Sequence, residues 1–415
     1  MMEKKKIVLF GLGKVFRAFM DVVDVTRIDI MALCDNNTDL HGKNMLGIQI
    51  IDVEKIVEYD FDYVIITSKY YRDINAQLLR EGVKDEYILN FYDFYRESMI
   101  QEDHRLTDLL KSGFLLSGGG KSEITKICNV DERNLFLNAK NFIRAVYDKK
   151  INQLEEVEFQ VFSQFGEDGI IQWLIHNVEI EEKVFIEFGV EDYSEANTRF
   201  LLMNNNWSGL VMDGSDENIR LLKEWKYFWK YDLQAIAAFI TRDNINELIS
   251  SAGINGDIGI LSIDLDGNDY WVLDAIECVN PRILICEYNN IYGDKEKVTV
   301  PYDKNFVRTE KHYSNLYWGA SIMAFCDWAQ RNGYYYMGSN SAGNNAFFVR
   351  KDCVEMDKIP AKAQVFVESK YRESRGRNGE LTYLRGRKRL ECIKDMELIN
   401  LETQCKITIA DLYDI

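Results

Sequence analysis

The chain has 415 residues, a length that suggests two or three domains and excludes a single small module. Hydrophobic residues make up 47% and charged residues 28%, which is ordinary globular composition and excludes a disordered or fibrous chain. The formal net charge of −17 creates a field that repels phosphate backbones and anionic membrane surfaces. We therefore expect no nucleic-acid partner.

The beginning of the chain carries no recognisable targeting segment. Residues Met1 to Lys6 are charged, and the apolar run Ile7–Phe10 is too short for a signal sequence or a membrane span. The eight cysteines are scattered without a C-x-x-C pair, which argues against a disulfide framework and a zinc ribbon. These features predict a cytoplasmic protein without a membrane span.

Short apolar strands alternate with helical segments in two parts of the chain, the rhythm of parallel sheets covered by helices. The first part contains apolar strands over Lys6–Phe10, Ile28–Cys34 and Tyr63–Thr67. This rhythm is lost after about residue 93 and returns near residue 161. We predict an α/β protein with two Rossmann-like parallel-sheet domains joined by a helical bridge. The predicted boundaries are 1–95 for the first domain, 96–160 for the bridge, 161–355 for the second domain and 356–415 for a C-terminal extension with a basic segment.

Two glycines and an acid form a nucleotide-type pattern in the first domain. Gly11 and Gly13 follow a strand and open a helix, and Asp35 lies at the end of the next strand. Glycine lets the backbone approach a phosphate at a helix N-terminus, and an acid in this position can bind ribose hydroxyls. Phe16 replaces the third glycine of the dinucleotide motif. Two interpretations stay open: a site for a nucleotide or NAD(P), and a purely structural domain.

Three further groups of residues occur at matching places in the same segment, namely Asp35-Asn36-Asn37, His41-Gly42 and Thr67-Ser68. Through them the segment resembles the small nucleotide-sugar-binding domains found beside sugar-modifying enzymes. The resemblance covers roughly the first 95 residues.

Several predicted strands of the second domain end in an acid. Glu187 and Gly189 end one strand, Asp213 ends the next, and Asp264 and Glu287 end two later strands. An open parallel sheet binds its ligands at the carboxyl ends of its strands. The pattern therefore predicts an adenosine-type ligand over Gly189, with its ribose hydroxyls on Asp213.

Four motifs stand out in this domain, namely Ser163-Gln-Phe-Gly-Glu-Asp-Gly169, Phe185-Ile-Glu-Phe-Gly189, Ser262-Ile-Asp-Leu-Asp-Gly-Asn-Asp269 and Glu287-Tyr-Asn289. In combination they resemble the FkbM-type S-adenosylmethionine-dependent methyltransferases, over about residues 160 to 350. The chain differs from many methyltransferases in having Val190-Glu191-Asp192 where further glycines are common. The resemblance implies an O-methyltransferase that acts on a sugar, a nucleotide sugar or a surface-polysaccharide precursor.

The resemblance also implies roles for individual residues. Glu187 and Gly189 would border the methionine part of S-adenosylmethionine, and Asp213 would bind its ribose. Gln164 would flank the pocket, and Asp264 is a further candidate for cofactor binding.

Methyl transfer from a sulfonium needs in-line alignment and removal of a proton from the acceptor. His312 lies beyond the last acidic strand end, where a substrate loop is expected, and is the candidate base; a structural histidine is the alternative. Asp264 and Glu287 are further candidate catalytic residues. With Asn289 they also offer three hard oxygen ligands for Mg²⁺, which would lower the pKa of the attacking hydroxyl. Hydrogen bonding to the substrate without a metal is the other interpretation.

The leading hypothesis is therefore an S-adenosylmethionine-dependent O-methyltransferase with a small-molecule or glycan substrate. One alternative is a dinucleotide-dependent sugar-modifying oxidoreductase or epimerase that uses Gly11, Gly13 and Asp35. The other is a non-catalytic binding protein with a methyltransferase-like domain. The sequence does not fix the oligomeric state, and a homo-oligomer stays open.

Overall fold

The computed structural model describes residues 4–23, 28–92, 136–225, 227–363, 366–370 and 373–415. The chain forms two compact units, Met1–Arg133 and Asn134–Ile415. The part of the predicted helical bridge from 96 to 135 lies outside the described residues. Within the described ranges, no helix has both the length and the apolar character needed to cross a membrane.

The first unit contains a six-stranded sheet in the order β3-β4-β2-β1-β5-β6. Its strands pair in parallel except for the short β3, which is antiparallel to β4. The elements are β1 (Lys5–Phe10), α1 (Lys14–Val22), β2 (Ile28–Cys34), β3 (Asn44–Met45), β4 (Ile48–Ile51), β5 (Tyr63–Ile66), α2 (Tyr71–Arg80) and β6 (Ile88–Asn90).

Both faces of the first sheet are buried, as the apolar strands predict. Successive residues of β1 face opposite sides, so Leu9 joins the core on one side and Phe10 the core on the other. Phe16 and Phe19 of α1 fill the first core, and Leu78 of α2 fills the second. The bulky Phe16 is thus a packing residue of this unit.

The second unit contains a seven-stranded sheet in the order β13-β14-β11-β10-β7-β8-β9. Only β14 runs against the other strands of this sheet. The elements of the unit are α3 (136–146), α4 (Glu167–Asn177), β7 (Val184–Phe188), α5 (Arg199–Asn205), β8 (Ser208–Asp213), α6 (Asp216–Glu224), β9 (Leu233–Ala237), α7 (Ile245–Ser251), β10 (Gly256–Ile263), α8 (Asp269–Ala275), β11 (Val279–Glu287), β12 (Val298–Thr299), α9 (Arg308–Lys311), α10 (Ile322–Arg331), β13 (Tyr334–Ser339), β14 (Asn345–Arg350), α11 (Arg387–Cys392), β15 (Glu397–Asn400), β16 (Cys405–Thr408) and α12 (Ile409–Tyr413).

The strand order of the second sheet reverses between β7 and β10. From β7 the chain proceeds outward through β8 to β9, then returns to the other side of β7 at β10 and continues to β11. The first sheet reverses in the same way between β1 and β5. Crossover connections diverge at such a point and leave a crevice at the carboxyl ends of the two strands, where open α/β sheets bind ligands. The chain is therefore an α/β protein with two largely parallel sheets.

The C-terminal residues fold around the segment that follows β11. β15 pairs with β12 and with β16 in a small antiparallel sheet. Leu398 and Ile409 are buried together with Tyr292, Leu316 and Trp318. This cluster fixes the 292–318 segment, which starts at the carboxyl edge of the main sheet.

A substitution at Gly169 can test how closely α4 packs against the segment that precedes it. A Cβ on Gly169 would overlap the backbone of Val157 and Phe159. We expect Gly169→Ala to destabilise the second unit by about 1–3 kcal/mol, the usual range for overpacking, and to lower its unfolding midpoint in calorimetry. Gly214→Ala is the control, because its added Cβ would make only an ordinary contact of 3.6 Å with Phe239. Equal midpoints for the two variants would contradict this packing.

Candidate functional site

The ends of β7 and β10 are in direct backbone contact at the point where strand order reverses. Gly189 follows β7 with a φ of +70°, a conformation that favours glycine. A Cβ at this position would overlap the carbonyl oxygen of Asp264, which follows β10. Only glycine therefore fits at this position. Because glycine has no side chain, the backbone of Gly189 is left bare at the end of β7.

Glu187 lies on β7 and directs both carboxylate oxygens to the start of α5. Its Oε1 accepts a hydrogen bond from Asn197 N at 2.8 Å, and its Oε2 accepts from Thr198 N at 3.0 Å and from Thr198 Oγ1 at 2.5 Å. Burial raises the pKa of Glu187 to about 7, although these hydrogen bonds oppose the rise. The carboxylate thus holds the segment that leads into α5.

Asp213 joins the loops that follow β7 and β8. Its Oδ2 accepts from Glu191 N at 2.8 Å, and its Oδ1 accepts from Ser215 N at 2.8 Å and Asn218 Nδ2 at 3.1 Å. The loop after β7 is unusual because Glu191 and Tyr193 both have positive φ, of 48° and 63°. A carboxylate has about four acceptor positions, so these bonds leave Asp213 about one for a ligand hydroxyl.

Asp168 closes the turn that contains Gln164. Its Oδ2 accepts from three successive N–H groups, those of residues 161–163, at 2.7, 2.7 and 2.9 Å, and from Ser163 Oγ at 3.0 Å. Burial raises the pKa of Asp168 to about 6, against the effect of these bonds. Gln164 is partly exposed in this turn, and its carbonyl oxygen accepts from Gln160 Nε2 at 2.8 Å.

The neighbouring Glu167 connects this turn to the β13–β14 hairpin, a contact that the sequence did not indicate. Its Oε2 accepts from the N–H groups of Phe165 and Gly166, each at 2.9 Å. Its Oε1 accepts from Asn340 Nδ2 at 2.6 Å and Asn345 Nδ2 at 2.8 Å. The asparagines at 340, 344 and 345 are a sequence signal for a polar partner of this acid, but residue spacing does not specify the pairing.

The ends of β10 and β11 bring Asp264 and Glu287 together, with Asp266 beside them. One carboxylate oxygen from each of the three lies within 4.8 Å of the others. Burial raises the pKa of Asp264 well above its usual value, and the charge of Asp266 raises it further. Burial and the charge of Asp264 do the same for Glu287. Raised pKa values at two neighbouring carboxyls favour a shared proton or a bound cation, because ionising both side by side is costly.

Two neighbours hold the loop that carries these acids. The buried Asp269 accepts from Leu265 N at 2.7 Å and Gly267 N at 2.9 Å, and burial raises its pKa to about 6. Arg308 Nη1 donates to Asp266 Oδ1 at 2.5 Å. The arginine thus supplies one positive charge next to the acid cluster.

Asn289, predicted as a third metal ligand with Asp264 and Glu287, is engaged elsewhere. Its Nδ2 donates to the carbonyl oxygens of Leu316 and Trp318, each at 3.0 Å. Its Oδ1 accepts from Ile291 N at 3.1 Å. The amide therefore fixes the segment after β11, while Asp266 lies with Asp264 and Glu287 in the acid cluster.

His312, the predicted base, directly follows α9. Its Nδ1 lies 2.7 Å from Ser314 Oγ. Burial lowers the pKa of the imidazole, with a contribution from the charge of Arg377, so the ring is neutral at pH 7. Among the described residues, its hydrogen bonds link it to Ser314 rather than to Asp264 or Glu287.

In the first unit, Gly11 and Gly13 follow β1 and Asp35 follows the neighbouring β2, so all three lie at the carboxyl ends of these two strands. Gly11 has a φ of +97°. Asp35 Oδ2 accepts from Leu12 N and its Oδ1 from Asn37 N, both at 2.9 Å. Gly13 is the N-cap of α1, and an added Cβ there would have no neighbour within 4 Å. The three residues predicted for a nucleotide site thus lie in one loop cluster.

Comparison with known proteins gives one family match and several structural likenesses. Residues 3–89 match the family described as C2185-like, N-terminal. No curated protein matches the chain. Among solved structures, RSP, a Rex-family repressor, is 20% identical to this chain. The likeness covers 26% of this chain and 64% of the repressor, with a TM-score of 0.19. An S-adenosylmethionine-dependent methyltransferase from Clostridium acetobutylicum ATCC 824 is 10% identical to this chain. The likeness covers 44% of this chain and 90% of the methyltransferase, with a TM-score of 0.29.

A third solved structure, a putative caffeoyl-CoA O-methyltransferase from Staphylococcus aureus, has 11% identity with this chain. The likeness covers 44% of this chain and 82% of the other, with a TM-score of 0.29.

The raised pKa of Asp168 predicts how stability depends on pH. The folded chain binds this proton more tightly than the unfolded chain, so wild-type stability is lost as pH rises from 3.8 to about 6. Asp168→Asn keeps an acceptor oxygen and cannot titrate. Over this interval we expect the unfolding free energy of the wild type to fall by up to about 3 kcal/mol relative to the variant.

Urea unfolding at pH 4 and pH 7 measures this difference. Asp274→Asn, at an exposed acid on α8, is the control and should not show the shift. A constant difference between Asp168→Asn and wild type at the two pH values would contradict the buried, proton-binding carboxyl.

Proposed function

We propose that the second unit is an S-adenosylmethionine-dependent methyltransferase that acts on a hydroxyl of a sugar, a nucleotide sugar or a surface-polysaccharide precursor. One arrangement carries the proposal: the crevice between β7 and β10, where the bare backbone at Gly189 lies beside Asp264, whose carboxylate is grouped with that of Glu287. Open α/β sheets bind nucleotide-type ligands at this position. The sequence resemblance to FkbM-type enzymes supports the choice of reaction and substrate class.

Each part of the cofactor has a suitable counterpart along this edge of the sheet. Asp213 retains an acceptor position for a ribose hydroxyl. Gly189 lets the centre of the cofactor approach the backbone. The methionine part would lie near Glu187 and the turn of Gln164. The acids Asp264 and Glu287 provide negative potential, which favours the positively charged sulfonium.

The reaction itself is an in-line displacement. The acceptor oxygen forms a bond to the methyl carbon while the sulfur–methyl bond breaks, and the electron pair of that bond stays on sulfur. The proton of the acceptor hydroxyl passes to a base. Asp264 and Glu287 suit this role because, when one of the two is ionised, its raised pKa makes it a stronger proton acceptor than an ordinary carboxylate. His312, neutral at pH 7, is the second candidate for the same role.

The same acids also fit a magnesium ion. Asp264, Asp266 and Glu287 present hard oxygen ligands close together, and in the described part of the chain Glu287 Oε2 is buried without a hydrogen-bond partner. Asn289 Oδ1 accepts one hydrogen bond, from Ile291 N, and keeps a second lone pair as the proposed further ligand. A bound Mg²⁺ would supply charge that lowers the pKa of the acceptor hydroxyl. The carboxylates would then hold the ion instead of accepting the proton.

Isothermal titration with S-adenosylhomocysteine, the product form of the cofactor, tests the proposal on the full-length chain. We expect saturable binding, and we expect Asp213→Asn to weaken it by about tenfold because an acceptor for the ribose is lost. Asp35→Asn, in the first unit, is the control and should leave the affinity unchanged. No binding of millimolar ligand to folded wild-type protein would overturn the proposal, and binding of NADH instead would favour the dinucleotide-dependent alternative.

The acid pair is tested by Asp264→Asn and Glu287→Gln in a methyl-transfer assay with labelled S-adenosylmethionine and a panel of nucleoside-diphosphate sugars. We expect both variants to bind S-adenosylhomocysteine and to lose about 100-fold in transfer rate, the usual contribution of a positioned base. Asp274→Asn is the matched control on the surface of α8. Wild-type transfer rates in both variants would contradict any role of the pair in the reaction.

The same assay with a chelator separates the two roles. Transfer that continues in EDTA supports direct proton removal by the carboxylates. Transfer that stops in EDTA and returns with Mg²⁺ supports the metal role.

A further inference from the structure

Arg377 lies in the turn of a short hairpin in the C-terminal extension. Arg375 and Leu381 pair in an antiparallel bridge across this hairpin. The hairpin belongs to a stretch, 370–389, that contains eight basic and two acidic residues, against the net charge of −17 for the whole chain. The exposed side chain of Arg377 is therefore part of a locally positive stretch in an acidic protein.

The hairpin is attached to the segment that carries His312. Arg375 N donates to the carbonyl oxygen of Ser314 at 3.1 Å. Glu373 Oε1, at the start of the hairpin, accepts from Asn315 Nδ2 at 3.3 Å. The turn of the hairpin is thus held beside the loop where a substrate is expected, which lowers the entropy cost of binding a ligand there.

One ion-paired arginine joins the hairpin to the acid cluster. Arg308 Nη2 lies 3.7 Å from Glu373 Oε2, and Arg308 Nη1 donates to Asp266 Oδ1. Asp266 lies with Asp264 and Glu287, the acids proposed for the reaction. The hairpin therefore reaches the same edge of the sheet as the proposed site of methyl transfer.

Arg308 and Arg375 are each paired with an acid, whereas Arg377 stacks on an aromatic ring. Its guanidinium lies over Tyr313, 4.8 Å from the ring centre, and in the described part of the chain it forms no ion pair. The Tyr313 ring in turn packs on the imidazole of His312, with 4.3 Å between the ring centres. Burial lowers the pKa of His312, and the nearby charge of Arg377 lowers it further. A guanidinium that stacks through its face keeps its N–H edge for an anion.

We infer that the methyl acceptor carries a phosphate group and that Arg377 binds it. The inference rests on the proposed function and makes it more specific, because it selects sugar phosphates and nucleotide sugars among the proposed acceptors. The planar fork of a guanidinium matches two oxygens of a phosphate. Its positive charge also offsets the repulsion between an anionic acceptor and the acids at the same edge. Arg377 acts in binding and specificity and takes no part in the transfer of the methyl group.

Titration of the full-length protein with uridine diphosphate glucose, in saturating S-adenosylhomocysteine, tests the inference. We expect this nucleotide sugar to bind at least about tenfold more tightly than glucose, and inorganic pyrophosphate to compete with it. Arg377→Ala should weaken its binding by about tenfold, because a charge-assisted contact to the phosphate is lost. Arg377→Lys keeps the charge without the fork, so its affinity should fall between those of Arg377→Ala and wild type.

Lys351→Ala is the matched control. The Lys351 ammonium lies over the ring of Tyr335, 5.3 Å from its centre, much as Arg377 lies over Tyr313. Because β14 runs against β11, Lys351 directly after β14 lies at the opposite edge of the sheet. We expect this variant to bind uridine diphosphate glucose like wild type.

The outcomes separate the inference from the function on which it rests. If the wild type binds S-adenosylhomocysteine but binds the nucleotide sugar no better than glucose, the phosphate-bearing acceptor is wrong and the proposed function stands. Equal affinity of Arg377→Ala and wild type, or an equal loss in Lys351→Ala, likewise excludes the role of Arg377. If the folded wild type does not bind S-adenosylhomocysteine, the proposed function fails and the inference fails with it. Equal thermal midpoints of the variants show that the changes reflect binding.

Discussion

Buried carboxylates that accept hydrogen bonds from backbone N–H groups hold the loops at the carboxyl edge of the second sheet. Asp168 closes the turn before α4, Glu187 holds the start of α5, Asp213 joins the loops after β7 and β8, and Asp269 closes the turn after β10. An unpaired buried charge is costly, so each loop must keep the conformation that supplies these N–H donors. The crevice at the switch point is thereby shaped before any ligand enters.

This constraint divides the acids of the strand ends into two groups. Most of them serve their own loops, although their position alone suggests ligand binding. Asp264 and Glu287 differ, because in the described part of the chain no backbone N–H group donates to either side chain. Burial raises both pKa values, and neighbouring acids raise them further, Asp266 at Asp264 and Asp264 at Glu287, so the pair favours a proton or a cation. These two acids are therefore the best candidates for chemistry.

Sequence patterns predicted the features that depend on local regularity. The parallel strands and the meeting of Asp264 with Glu287 followed from apolar runs that end in acids, since carboxyl ends of parallel strands share one edge. Contacts between distant segments could not be predicted. Glu167 meets Asn340 only because the β13–β14 hairpin brings them together, and Asn289 is engaged by a segment fixed by the C-terminal core. Such partners depend on tertiary packing, which residue spacing does not encode.

The most direct test of the account is a crystal structure of the full-length protein grown with saturating S-adenosylhomocysteine. We expect density for the ligand along the carboxyl edge of the second sheet, with a ribose hydroxyl on Asp213 and the sulfur near Gly189 and Asp264. Ligand density confined to the loop of Gly11 and Gly13 in the first unit, or an edge that stays free of ligand, would contradict it.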